Sequence, residues 1–476
     1  RGNVRFRHQG AVMYCDSAYF YSEGNSLDAF GHVRMVQGDT LFVYSDLLFY
    51  DGNTQMALLR KNVRMVNKNV ILTTDSLNYD RKINVGYYFT GGTIKNESNV
   101  LVSQKGYYYP NSRLAEFKEN VLLTNPDFTI KSDTLKYNTQ TEVAYLVGPS
   151  NINYKDTTHI YSELGVYNTK TQKSSLFNRS YIETKDGRFL TADSIFYDRN
   201  NGIGRVYKNA IIIDTVQHLT LKGNIGYYNN ITNNAFITDS ALVIEHSTTD
   251  SLFLHADSLY YTKDSIYNVL RAYRNVRFFR NDMQGKCDSI SYSSRDSIMT
   301  MYYEPVLWSD NNQLSGDSIK FFMKNGAIDY ADVLGHAFAA MQDDSIKFNQ
   351  LVGKQMRGYI RNNRLYKVEV SGNTQSIYFP RDEDSSFVGM NKTESSFMIA
   401  YLKDNKIDKI MLYPQSNGKL SPIEGLVKED IFFPEFKWHD NLRPKKKEDV
   451  FTKTAPPVKK EENKRVGKKK RIFSLE

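Results

Sequence analysis

Apolar side chains recur at every second position in short runs along the chain, the pattern of strands that bury one face. One run reads Asp-Ser-apolar-x-Tyr, as in Asp75-Ser76-Leu77-Asn78-Tyr79, Asp133-Thr134-Leu135-Lys136-Tyr137, Asp193-Ser194-Ile195-Phe196-Tyr197, Asp257-Ser258-Leu259-Tyr260-Tyr261 and Asp288-Ser289-Ile290-Ser291-Tyr292. Phe replaces Tyr in Asp317-Ser318-Ile319-Lys320-Phe321 and in Asp344-Ser345-Ile346-Lys347-Phe348. In each copy the aliphatic residue and the aromatic share one face. A second run appears as Gly31-His32-Val33-Arg34-Met35, Asn62-Val63-Arg64-Met65, Asn120-Val121-Leu122-Leu123 and Asn275-Val276-Arg277-Phe278. Here Val and the residue two later share a face, and the arginines point the other way. Asp51-Gly52-Asn53, Asp80-Arg81-Lys82 and Asp198-Arg199-Asn200-Asn201-Gly202 read as the tight turns between strands, because Asn, Asp and Gly tolerate positive φ.

Copies of the first run, strong or weak, begin at residues 46, 75, 133, 163, 193 and 223, a spacing of about 30. A sustained period of that size marks a solenoid or stacked array. The expectation is an all-β, repeat-built chain with two sheets facing each other. Inward pairs such as Leu77 with Tyr79 then form one continuous apolar stripe on each sheet, enclosing either a filled core or an open apolar groove. Residues 1–349 carry the repeats. Residues 350–415 read as modified terminal repeats, 416–440 as a capping segment whose aromatics Phe432 to Trp438 cover an open end, and 441–476 as a disordered tail. Ile472-Phe473 offers the tail a last contact. Arg1-Gly2-Asn3-Val4-Arg5-Phe6 reads as the second half of a repeat, so upstream sequence with a secretion signal is expected.

Composition adds little to this picture except at the C-terminus. The 34 Tyr and 27 Phe suit pleated strands. No apolar run approaches the ~20 residues of a membrane-crossing helix. The formal charge of +9 is concentrated in residues 441–476, which hold 13 Lys/Arg against 5 Asp/Glu; the body is close to neutral. The tail reads as a solvated terminus or as a contact for an anionic membrane surface, and nucleic acid is not an expected partner. The eight histidines are scattered and the two cysteines, Cys15 and Cys287, lie about nine repeats apart, so neither a zinc site nor a disulfide between them is expected. No phosphate-binding glycine loop or nucleophile elbow is present. The repeated Asp is read as structural, an Asx turn at the strand entrance. The expectation is a protein that is not an enzyme and needs no cofactor.

With both runs in view, the chain resembles the OstA-like family of periplasmic lipopolysaccharide-transport proteins over residues 1–350, and its end segment, Glu394 to Lys445, resembles the longer members. The resemblance implies a twisted, V-shaped, two-sheet β-jellyroll with an apolar lumen. It also implies periplasmic carriage of lipopolysaccharide, and partnership with other β-jellyroll transport proteins or further copies of itself through open sheet edges. The residues expected to line the lumen and contact lipid are Val33, Val63, Leu77, Tyr79, Leu135, Tyr137, Ile195, Tyr197, Leu259, Tyr261, Ile290 and Tyr292. The alternative is a structural or adhesive β-solenoid with a filled core that binds protein partners.

Overall fold

The computed structural model describes residues 2–452 apart from 9, 156, 230, 247–249, 264–265, 325–326, 363, 383 and 404–405. Its strands follow one another as an antiparallel meander, each paired with its neighbours in sequence. Most are longer than either repeated run. Met56–Asn67 and Val70–Asp80 span 12 and 11 residues, so each contains two apolar half-patterns joined in the middle.

The joint is a β-bulge. Between Arg60 and Val63 the register with the next strand shifts, two residues facing one. The two residues that face one, Lys61 and Asn62, both have left-handed backbone with φ of 62° and 50°. The same pair recurs at Gly31-His32, Glu119-Asn120, Lys208-Asn209, Arg274-Asn275 and Gly335-His336. A bulge bends its strand and increases the local twist, so one bulge per repeat turns the whole stack along a common corner line. Thus the Asn-Val run does not open a new strand, as its Asn suggests; its Asn or His is the corner itself. In some coils the strand is interrupted at the corner: Val85–Tyr88 and Gly92–Asn96 both pair with Val70–Asp80, on either side of it.

The repeated Asp is structural, but by a contact other than the expected Asx turn at the strand entrance. It lies at the corner and grips the left-handed residue of the adjacent strand. Asp16 bonds His32 at 2.8 Å, Asp46 accepts from Asn62 at 2.7 Å, Asp193 from Asn209 at 2.9 Å, Asp257 from Asn275 at 3.0 Å, and Asp317 bonds His336 at 3.0 Å. Asx turns occur instead at the outer hairpins. There Asp51, Asp80, Asn138, Asn168, Asp214 and Asn229 each accept from backbone N–H groups two and three residues on. The copy at Asp344 is another such turn: Asp344 accepts from the N–H groups of Ile346 and Lys347, and Ile346 is exposed.

The bend yields two walls that share the long strands and meet at the corner, a V-shaped β-jellyroll. The tyrosine wall carries the Asp-Ser-apolar-x-Tyr halves; the aliphatic wall carries the others. One hydrophobic cluster fills the angle between them from Met13 to Met398. Cys15 and Cys287 both lie in it as free thiols. Burial pushes the Cys287 thiol up to about 12, which keeps it protonated and unreactive.

The chain beyond the last strand does not cap an open end. Residues 423–452 run back along the outer face of the aliphatic wall as a strap. Phe433, Phe436 and Trp438 pack on Phe338, Ala340, Ile377 and Phe379, and Phe348 lies 5.0 Å from Trp438 between ring centroids. Glutamines on two strands that flank Ala327–Gln342 hold the strap's backbone. Gln350 donates to the Ile431 carbonyl and accepts from the Phe433 N–H, and Gln313 does the same for Lys437 and His439. The expected disorder from residue 441 is also corrected over its first part. Residues 447–451 form a 3-10 turn, and fully buried Val450 fits among Leu242, Ile244, Phe253 and Phe279. Those four outward-facing apolar residues explain the order, since they need cover. Residues 453–476, with Ile472-Phe473, lie outside the described residues.

Candidate functional site

Strand register places the inward side chains of the tyrosine wall in two rungs. The deep rung, next to the corner, passes through Leu48, Leu59 and Leu77, then Phe117, Leu135, Leu146, Leu176, Ile195, Val206, Gly226, Ile237, Leu259, Ala272 and Ile290. All of these are buried. The mouth rung, further out, alternates tyrosine with a small residue: Tyr50, Ala57, Tyr79, Gly86, Tyr108, Ala115, Tyr137, Ala144, Tyr167, Ser174, Tyr197, Gly204, Tyr228, Ala235, Tyr261. Leu270, Tyr292 and Met299 continue it. Each bulky ring therefore lies beside a position with room for it, which lets rings pack at the 4.8 Å strand spacing.

Burial along the mouth rung changes abruptly. From Tyr50 to Ser174 every member is buried. From Tyr197 to Met299 none is, and Tyr228 and Leu270 are 42% and 45% exposed. Cover returns at Phe321. The opposite wall changes in step. Its middle rung runs Met35, Val43, Met65, Leu72, Ile94, Leu101, Leu123, Ile130, Ile152 and Ile160, all buried. It then continues through Ile182, Leu190, Ile212, Leu221, Val243 and Leu254, each only half-buried.

The closed half is held shut by hydrogen bonds across the mouth. The Tyr50 hydroxyl bonds His8 Nδ1 at 3.0 Å, Tyr79 donates to Gln37 Oε1 at 3.1 Å, and Tyr108 accepts from Asn67 Nδ2 at 3.1 Å. Tyr137 donates to Asn96 at 3.3 Å and accepts from Asn99 at 3.1 Å; Tyr167 bonds Tyr154. Gln37, Asn67 and Asn96 end their strands at the lip of the aliphatic wall. Past Tyr167 the strand ends become Thr184, Asp214 and Glu245, and among the described residues Tyr261 bonds locally, to Asn268 at 3.3 Å. Burial raises the phenols of Tyr79, Tyr137, Tyr154 and Tyr167, that of Tyr137 to about 12, so these four are neutral at ordinary pH.

Nine of the twelve residues expected in the lumen, Val33, Val63, Leu77, Tyr79, Leu135, Tyr137, Ile195, Leu259 and Ile290, are inward and buried. Tyr197, Tyr261 and Tyr292 are inward but only partly covered. Sequence reasoning missed Tyr228 and Leu270, the most exposed members of the mouth rung: the weak copy that begins at Gly223 puts Tyr227, not Tyr228, at the motif's aromatic position, and Leu270 lies in neither repeated run. Register shows that Tyr227 faces out and stacks on Phe236. The trough can therefore hold an extended apolar guest at its mouth while its floor stays filled by the protein.

The ends of the stack are open edges. Val4–His8 and Ser17–Tyr21 are each paired on one side only, as are Lys406–Tyr413 and Asn417–Ser421 at the other end. Tyr19, Phe20 and Tyr21 are exposed at the first edge, and Ile410, Met411, Tyr413 and Leu420 at the second.

A family model described as OstA-like protein matches residues 1–133 and again 134–251. Among solved structures, LptH is described as the LptA-homologous periplasmic component of the conserved lipopolysaccharide transport device from Pseudomonas aeruginosa. It aligns over 24% of this chain and 87% of its own, with 15% identity and a TM-score of 0.22. No curated protein matches the chain.

Proposed function

The chain belongs to the OstA-like family, whose members are components of lipopolysaccharide transport and not enzymes, and on that premise we propose that it is a periplasmic carrier that shields lipopolysaccharide acyl chains between its two walls on their way to the outer membrane. The observation that supports this most is the pair of unbroken apolar rungs facing each other along the stack. A carrier working in water needs such a path, since each buried methylene is worth ~0.8 kcal/mol and a uniform lining offers no deep trap. The inward residues Val33, Val63, Leu77, Tyr79, Leu135, Tyr137, Ile195, Tyr197, Leu259, Tyr261, Ile290 and Tyr292 form the proposed path. The two open edges are proposed docking sites for other β-jellyroll transport proteins or a second copy, by strand addition. Exposed apolar edge strands are otherwise an aggregation hazard.

Photocrosslinking in cells from Tyr197, blotted for lipopolysaccharide and for protein, tests the reading. Lipid adducts are expected, and their loss in Leu259→Lys with an unchanged β signal in circular dichroism. Protein adducts alone would favour a scaffold, the reading that the filled coils between Leu27 and Leu176 support.

A further inference from the structure

Carriage by a trough does not require that every coil admit lipid, and the two halves of this trough are built differently. In the latched half, rings and lip amides meet across the mouth and nothing inward is exposed. A guest there would have to break a buried hydrogen bond at each coil and displace side chains packed at the density of a protein interior. Among the described residues of the reach from Tyr197 to Met299 neither obstacle is present. This reach spans eight successive strands, which at about 4.8 Å each extend over roughly 34 Å. The hydrocarbon core of a bilayer, two acyl layers deep, is ~30 Å, so an acyl chain about half that long fits within the reach.

The rim differs as well. Hairpin tips beside the open reach carry the exposed apolar residues Val216, Ile231 and Ile266. Tips along the latched coils are polar, such as Gly52-Asn53 and Gln140-Thr141, Ile83 excepted. Behind the open reach, the strap supports the aliphatic wall from outside through Val450, and Arg277 donates to the Leu442 carbonyl at 3.0 Å. The wall is thus held in place without a bond across the mouth.

We propose that lipid acyl chains enter sideways between the hairpin tips and lie only in the reach from Tyr197 to Met299, and that the latched coils before it form a closed strut that sets distance and carries no lipid. The apolar rim and the uncovered rungs on both walls select an acyl chain over a peptide, whose backbone would find no unpaired strand there. The inference rests on the carrier reading above and narrows its site.

The test uses the full chain grown with the diazirine analogue of leucine, which preserves side-chain size, irradiated with purified lipopolysaccharide and mapped by peptide mass spectrometry. Adducts are expected at Leu221, Leu254 and Leu270, and none at Leu72, Leu101 or Leu123. Adducts at both sets would overturn the strut and leave the carrier standing. Adducts at neither set would remove the carrier itself. Protein–protein adducts at Leu270 would make the reach an interface and also end the proposal. Leu270→Lys, at a half-exposed site that tolerates the change, should cut adducts at Leu221 and Leu254 about tenfold or more, while Leu270→Ala keeps most of them.

Discussion

Tyr79 and Gln37 lie 42 residues apart and meet at 3.1 Å across the mouth of the trough. The same relation joins Tyr108 to Asn67 in the next coil. Each coil is thereby tied to one before it through its interior as well as through its backbone ladder. Tyr108→Phe keeps the ring and leaves the buried amide of Asn67 without its acceptor, at a cost of about 1–3 kcal/mol. Urea unfolding should show that loss, and Tyr228→Phe, at the unlatched mouth, should cost much less.

The latches also set an alkaline limit. Burial holds the Tyr137 phenol at about 12, above the ordinary tyrosine value of about 10. The folded state therefore keeps a proton that the unfolded state releases first. The stabilisation is complete below pH ~10 and is lost as pH rises toward 12. Thermal melts should be flat through neutral pH and fall between 10 and 12, with a smaller fall in Tyr137→Phe. A melting temperature independent of pH over that range would contradict the buried latch.

At the corners, Asn209 combines a left-handed backbone with a 2.9 Å bond to Asp193. Asn209→Val loses the bond and forces a β-branched residue to φ near +51°, a strain of about 1–3 kcal/mol. Asn209→Gly loses only the bond. Chemical denaturation should therefore rank the chains wild type, then Gly, then Val.

Val450 is fully buried in the outer cluster. Val450→Asp places a charge among Leu242, Ile244 and Phe279, and should release the strap's end without unfolding the stack. Limited proteolysis should then cut between residues 440 and 452, where the parent resists.

Much of this architecture was legible in the alternation of the chain. The inward assignment of Leu77 and Tyr79 followed from period 2 alone, as did the period of the array. What alternation could not convey was that two five-residue runs form one strand. A bulge adds a residue and reverses parity, so the second half looks like a fresh strand after a turn. The open reach was equally hidden, because Asp193 to Tyr197 carries the same motif as Asp75 to Tyr79. The difference lies in residues about 40 positions away, where lip amides Gln37, Asn67 and Asn96 give way to Asp214 and Glu245. The strap was visible as aromatic clusters in the tail of the chain, but its docking face, built from Leu242 through Phe379, reads as ordinary strand.

Folding order follows from the strap. Every ladder contact joins residues within about one repeat, so coils can zip up locally from any starting point, with little loop-closure entropy. Arg443, by contrast, donates to Gln284 across 159 residues of sequence. Its docking surface exists only after some five coils have assembled. The strap must therefore be the last part to settle, and until it does the outer face of about a third of the stack stays bare and prone to association with other unfinished chains.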